Sequence, residues 1–104
     1  MKYVVVSFLR YLNGDPKGAE RTTNRMGEYN TRRRAIISIM NYITNRYVNT
    51  WRKELSAEVC PIVKMDDNSG EMIRANIRKL DEGESRIVAE QIFKIIYKED
   101  EETK

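Results

Sequence analysis

Between Tyr29 and Lys53 the sequence holds six Arg or Lys residues and no acid. Three of them stand together as Arg32, Arg33 and Arg34; Arg21 and Arg25 precede them, and Arg46 and Arg52 follow. Guanidinium groups present forked N–H donors that match phosphate and carboxylate oxygens, so such a cluster is suited to binding an anion. Asn41, Asn45 and Asn49 recur every fourth residue through the same stretch, with Tyr42 among them. Amides and guanidiniums hydrogen-bond base edges and phosphates, and an exposed tyrosine ring stacks on an unpaired base.

The spacing predicts a helix over Thr31–Ala57, because Ile36, Ile39, Met40, Ile43, Tyr47 and Trp51 recur at steps of three and four. Asn30 or Thr31 is the expected cap. At 100° per residue, Arg34, Ser38, Asn41, Asn45, Asn49 and Arg52 fall along one polar stripe, flanked by Tyr42 and Arg46, while Trp51 falls with the core set. The triple arginine then occupies the helix's first turn, where the macrodipole is already positive and each added cation costs about 0.3–1 kcal/mol. A rule broken without visible compensation marks a place to look for function. A bound phosphate would convert that cost into a gain, since free N–H groups and guanidinium forks would meet it together.

Other chemistries find less support. The chain has no histidine, which removes the usual base near neutral pH and the commonest metal ligand. Cys60 is the single cysteine and has no readable activating neighbour, so it is expected to be structural. Asp66, Asp67, Asn68 and Glu71 fail the spacing of a calcium loop and read as a turn. Gly14 and Gly18 lack the Lys-Ser/Thr pair of a phosphate-binding loop. No catalytic residue, metal or cofactor is expected, and the protein is not expected to be an enzyme.

The elements that would position the basic helix follow from pattern. Tyr3–Leu12 reads as a strand with apolar residues on both faces. Residues 13–18 are turn chemistry, and residues 19–26 form either a polar hairpin strand or part of a loop. Glu58–Met65 and Glu71–Leu80 read as a hairpin, with Pro61 marking an edge or bulge and Ile73, Ala75 and Ile77 pointing inward. Asp81-Glu82-Gly83-Glu84 resembles a capping box, which predicts a second helix over Glu82–Lys98 burying Val88, Ile92, Ile95 and Ile96. The expected class is α+β in the order β-α-β-β-α, with two helices on one face of a small sheet. That is a ferredoxin-like arrangement without its last strand, its third strand lying between the other two. The expected core is Ile36, Met40, Ile43, Tyr47, Ile73, Ile77, Val88, Ile92 and Ile95.

At 104 residues one domain is expected, over 1–98, with 99–104 as a frayed acidic tail. The net charge is +3, but residues 1–34 carry +5 and residues 81–104 carry −4, as expected where one surface meets a polyanion. No apolar run reaches the ~20 residues of a membrane span, and a lone cysteine suits a reducing compartment, so the cytoplasm of a cell or host is expected. The leading expectation is a non-enzymatic nucleic-acid-binding domain, with RNA the favoured partner. Its binding residues would be Arg21, Arg25, Arg32, Arg33, Arg34, Asn41, Tyr42, Asn45, Arg46, Asn49 and Arg52. The alternative is a small inhibitor or adaptor, of the kind found among phage and mobile-element genes, that binds an acidic protein surface. A third reading pairs the arginines internally with the acidic C-terminal segment. The uncovered side of a sheet with helices on one face leads to the expectation of a homodimer.

Overall fold

The computed structural model describes residues 1–12, 22–50 and 53–99. Its longest feature is an antiparallel hairpin of β5 (Gly70–Asp81) and β6 (Glu84–Lys98). Asp81 pairs with Glu84, leaving the two-residue turn Glu82-Gly83 with φ of 49° and 81°. Positive φ at both positions defines the turn type whose twist suits a hairpin, and glycine carries the second position without strain. Glu82 does carry strain, and Glu82→Asn is expected to stabilise the protein by roughly 0.5–1 kcal/mol, read as a raised melting temperature.

Strand β1 (Lys2–Tyr11) lies along β6 in continuous register from Lys2↔Lys98 to Tyr11↔Ala89. β2 (Thr22–Tyr29) is on its outer side, with a bulge between Val5 and Val6. β3 (Leu55–Val59) and the short β4 (Val63–Lys64) both pair with β5 at the opposite edge. Pro61 sits between them, where its missing N–H interrupts no ladder. Among the described residues the sheet has six strands in the order β2-β1-β6-β5-β3, with β4 also on β5, and every pairing is antiparallel.

Among the described residues one helical segment crosses one face. Thr31 is its cap, with extended backbone and an Oγ1 that accepts the Arg34 N–H at 3.2 Å. α1 (Arg32–Ile43) runs into a π-helical turn, Thr44–Val48, closed by the Asn49 N–H on the Thr44 carbonyl at 2.7 Å. Ala35, Ile39, Ile43 and Tyr47 are buried from this segment, against Val5 of β1, Ile73, Ala75 and Ile77 of β5, and Ala89, Phe93 and Ile95 of β6. Full burial of a side chain such as Ile39 or Phe93 contributes roughly 1.5–3 kcal/mol.

This architecture corrects the β-α-β-β-α expectation in three respects. There is no second helix over Glu82–Lys98. That segment is β6, and the supposed capping box is its hairpin turn. Val88, Ile92 and Ile95–Ile96 do fall at helical spacing, but Ala89, Gln91, Phe93 and Ile95 alternate as a strand needs, and all four are buried. Second, the helix stops at Val48 rather than Ala57, because Leu55–Val59 is paired to β5. Third, β6, and not the strand over Glu71–Leu80, occupies the place beside β1. The polar stretch before the helix supplies β2, a strand at Thr22–Tyr29, while residues 13–21 lie outside the described ones.

The face away from α1 is half apolar. Register puts Val4 beside Ile96 and Phe8 beside Ile92, so Ile92 belongs to this face and not to the helix-side core. Ile36, Met40 and Val88, also expected in the core, are partly buried at its margin. The Lys94 ammonium lies 5.5 Å from the Phe8 ring centre, and Glu90 stands between Arg10 and Arg74 at 3.9 Å from each. No described helix is long and apolar enough to cross a membrane.

Candidate nucleic-acid interface

The three arginines at the start of α1 are not equivalent. Arg32 turns back on Glu71, the second residue of β5. Its Nε donates to both carboxylate oxygens at 2.9 and 2.8 Å, and its Nη2 donates to Oε1 at 2.7 Å. Glu71 is almost fully buried, while the Arg32 side chain keeps about half its surface in solvent (8% and 49% exposed). The hydrogen bonds from Arg32 hold the Glu71 carboxyl below the usual carboxylate range despite its burial, and Tyr97 adds a further hydrogen bond. The same interaction raises the Arg32 guanidinium above its ordinary value. The cation that opposes the helix dipole is therefore compensated by a carboxylate 39 residues away. That partner is Glu71 of β5; residues 100–104 of the acidic C-terminal segment lie outside the described residues.

Arg33 and Arg34 are exposed, and among the described residues neither has an ion-pair partner. Further along the same segment Asn41, Asn45, Arg46 and Asn49 are exposed. Ser38 is half-buried and donates its hydroxyl to the Ala35 carbonyl at 2.8 Å. The exposed side from Arg33 to Asn49 therefore mixes these polar residues with two exposed apolar ones, Ile37 and Val48. It includes no acid because the sequence has none between Tyr29 and Lys53.

Tyr42 is placed differently from the expectation of an exposed stacking ring. It is half-buried and meets Phe93 edge-on, with ring centres 5.6 Å apart. Arg46 lies 6.0 Å from the Tyr42 ring centre and 5.8 Å from that of Tyr47, within the range of a cation–π interaction. The Tyr47 hydroxyl donates to Gln91 Oε1 at 2.9 Å, a buried bond that ties the π-helical turn to β6. Burial pushes the Tyr47 phenol up, and the neighbouring Tyr47 side chain raises the Arg46 guanidinium. Arg46 therefore stands exposed at the end of the helix with its charge retained.

Beyond Tyr47 the sheet continues without the helix above it, leaving a cleft of about 900 Å³. The π-helical turn forms one wall through Asn45, Arg46 and Tyr47; β1 contributes Tyr11, and the β5–β6 hairpin contributes Lys79 and Arg86. Tyr11 is half exposed (50%) and is the ring beside the cations that Tyr42 was expected to be. Sequence reasoning missed Tyr11, Lys79 and Arg86 because they lie on three strands brought together only by the sheet. Each sits in an ordinary strand pattern that carries no functional signal.

Arg25 is not gathered into this surface. It pairs in register with Val6, on the face away from α1, and bonds Glu28 at 2.9 Å. Arg21, Trp51 and Arg52 lie outside the described residues. Cys60, partly exposed between β3 and β4, accepts a weak bond from the Asn76 amide at 3.8 Å. Asp67 accepts from the Ser69 N–H at 3.0 Å and its hydroxyl at 2.6 Å, which lowers its carboxyl and closes the turn before β5. Among the described residues no group of three or more acids, cysteines or histidines could hold a metal ion. Comparison with known proteins gave no match to a family model, a curated protein or a solved structure.

Proposed function

We propose that the protein binds single-stranded or structured RNA along the exposed side of α1 and the π-helical turn. The observation that carries this reading is the acid-free surface itself. Arg33 and Arg34 stand exposed without an ion-pair partner among the described residues, and Asn41, Asn45, Arg46 and Asn49 continue the surface. Arg32 is already engaged by Glu71, so it serves to anchor the helix start while its two neighbours remain available. Unpaired cations at a positive helix end are compensated when they meet phosphates. From Arg33 to Asn49 the track runs about 24 Å at 1.5 Å per residue, enough for several nucleotides of an extended strand. Short amides on this track suit the exposed edges of unpaired bases, which RNA loops and ends present.

The test is fluorescence anisotropy with labelled RNA, single-stranded DNA and duplex DNA at two salt concentrations. RNA should bind most tightly, and affinity should fall steeply with salt. The Arg33→Ala/Arg34→Ala variant should lower the salt slope by roughly 0.7 for each phosphate it no longer neutralises. Unchanged affinity and slope in that variant would refute the assignment of these arginines. Absence of binding to every nucleic acid at the lower salt would instead leave an acidic protein surface as the partner.

A further inference from the structure

The cleft at the end of the helical segment has a charge arrangement that stability does not explain. Lys79 of β5 and Arg86 of β6 are directly opposed across the hairpin, and like charges in that relation destabilise a sheet. Arg86 approaches Asp81 only to 3.8 Å, between side chains 70% and 55% exposed, where solvent screens most of the attraction. The other cross-strand neighbour of Lys79 is Leu55, which offers no charge. Arg46 lines the same cleft from the helix side, and no acid is among its described lining residues. Arg46, Lys79 and Arg86 thus line one concavity with charge of one sign, which favours an anion there.

The rest of the lining calls for more than an anion. Tyr11 presents a half-exposed ring, and Leu9, Leu55 and Ile77 make an apolar floor. Asn45 supplies an amide that can donate and accept at one edge. At about 900 Å³ the cleft falls within the ~300–1,000 Å³ typical of small-ligand sites. A flat ring joined to a phosphate satisfies all of these features together.

We infer that the cleft receives one unpaired nucleotide, its base against Tyr11 with Asn45 at its edge, and its phosphate among Lys79, Arg86 and Arg46. This rests on the RNA-binding reading and sharpens it. The strand would run along the helix and turn one base out of its stack at the helix's C-terminal end. Duplexes, whose bases are paired, would be excluded from this site.

The experiment uses a labelled single-stranded RNA of about eight nucleotides, a set of the same strands each with one abasic position, the matching duplex, and free AMP and UMP. Tyr11→Ala should weaken the single strand roughly 5- to 150-fold, the loss of one stacked base, with the salt slope unchanged. Tyr11→Phe should restore binding, and circular dichroism should show both variants folded. Lys79→Ala and Arg86→Ala should each weaken binding, and the two together should reduce the salt slope by roughly 0.7, the one phosphate they share. One abasic strand should bind as weakly to the parent protein as the intact strand binds to Tyr11→Ala, with no further loss when the two changes are combined. If Arg33→Ala/Arg34→Ala weakens binding but Tyr11→Ala and Lys79→Ala do not, the cleft assignment fails while the helix-face reading stands. Absence of RNA binding to the parent protein overturns both. Binding of AMP or UMP at the cleft with no gain from the longer strand would overturn the placement in a strand and assign the cleft to free nucleotides.

Discussion

Arg32→Ala is expected to cost about 1–3 kcal/mol of stability, because it strands the buried Glu71 carboxylate without its principal donors. The loss stays below the ~3–5 kcal/mol of a fully buried pair, since solvent already reaches Arg32. Melting temperature should fall by roughly 4–8 °C for each kcal/mol. Arg33→Ala/Arg34→Ala, by contrast, removes two exposed cations from a positive helix end and should leave stability within about 0.5 kcal/mol or raise it slightly. The three arginines thus separate into one structural residue and two available for binding, and a triple replacement would confound the two roles. The effect of Arg32→Ala should also depend on pH. The folded pKa of Glu71 is lowered, so its stabilisation is fully present above the unfolded value of about 4.3 and is lost as pH falls through the lowered folded value. Denaturation of the parent and Arg32→Ala proteins should therefore show a difference that narrows on acidification, first as the stranded Glu71 carboxyl of the variant, raised by burial, takes up a proton and then as that of the parent does. A difference that does not change with pH would show that Glu71 is not the partner through which Arg32 acts.

Gly70→Ala is expected to be the most damaging single-methyl change in the protein. A Cβ at Gly70 would sit 2.0 Å from the Ile95 carbonyl oxygen, and 3.2 Å from the Ile96 Cα. The obstruction is backbone of β6 and cannot rotate away. Relief requires β5 and β6 to part at the point where Gly70 pairs with Ile96 and where Glu71 must stay seated under Arg32. The cost should exceed about 3 kcal/mol, at the upper end for overpacked sites. Gly83→Ala serves as the comparison. It meets nothing within 4 Å, and its strain comes only from a φ of 81°, worth roughly 1 kcal/mol. Urea denaturation should rank the two accordingly. Equal losses would mean that the close approach at Gly70 is not what holds that position to glycine.

Glu84–Lys98 carries a sequence that is ambiguous between helix and strand. Its apolar residues satisfy two periods at once. Val88, Ile92 and Ile95–Ile96 suit a helix, and Ala89, Gln91, Phe93 and Ile95 suit a strand. The preceding Asp-Glu-Gly-Glu likewise serves as a helix cap or a hairpin turn. Local chemistry does not separate the alternatives. What separates them is the pairing available on both sides, β1 over its whole length and β5 from Gly70 to Asp81. The isoleucine and valine content favours a strand modestly, and the long-range ladders then decide it.

Some features follow from the residues alone. The turn at Asp66–Gly70, the strand nature of Tyr3–Leu12 and Glu71–Leu80, and the start of the helix at Thr31 each rest on local chemistry: side chains that bond nearby backbone, β-branched alternation, and a hydroxyl at a cap. The acid-free stretch from Tyr29 to Lys53 is likewise a property of the chain itself, and with it the basic character of the exposed side of the helix. Tertiary structure decided which of those charges are free. Arg32 is neutralised by Glu71, Arg25 is carried to the other face of the sheet, and Tyr42 is packed on Phe93. Tyr11, Lys79 and Arg86, distant in sequence, are brought to one cleft beside Arg46. The physical reason is the same in each case. A side chain's partner is chosen by strand register and by which face of the sheet the helix covers, and both are set by pairings between segments tens of residues apart.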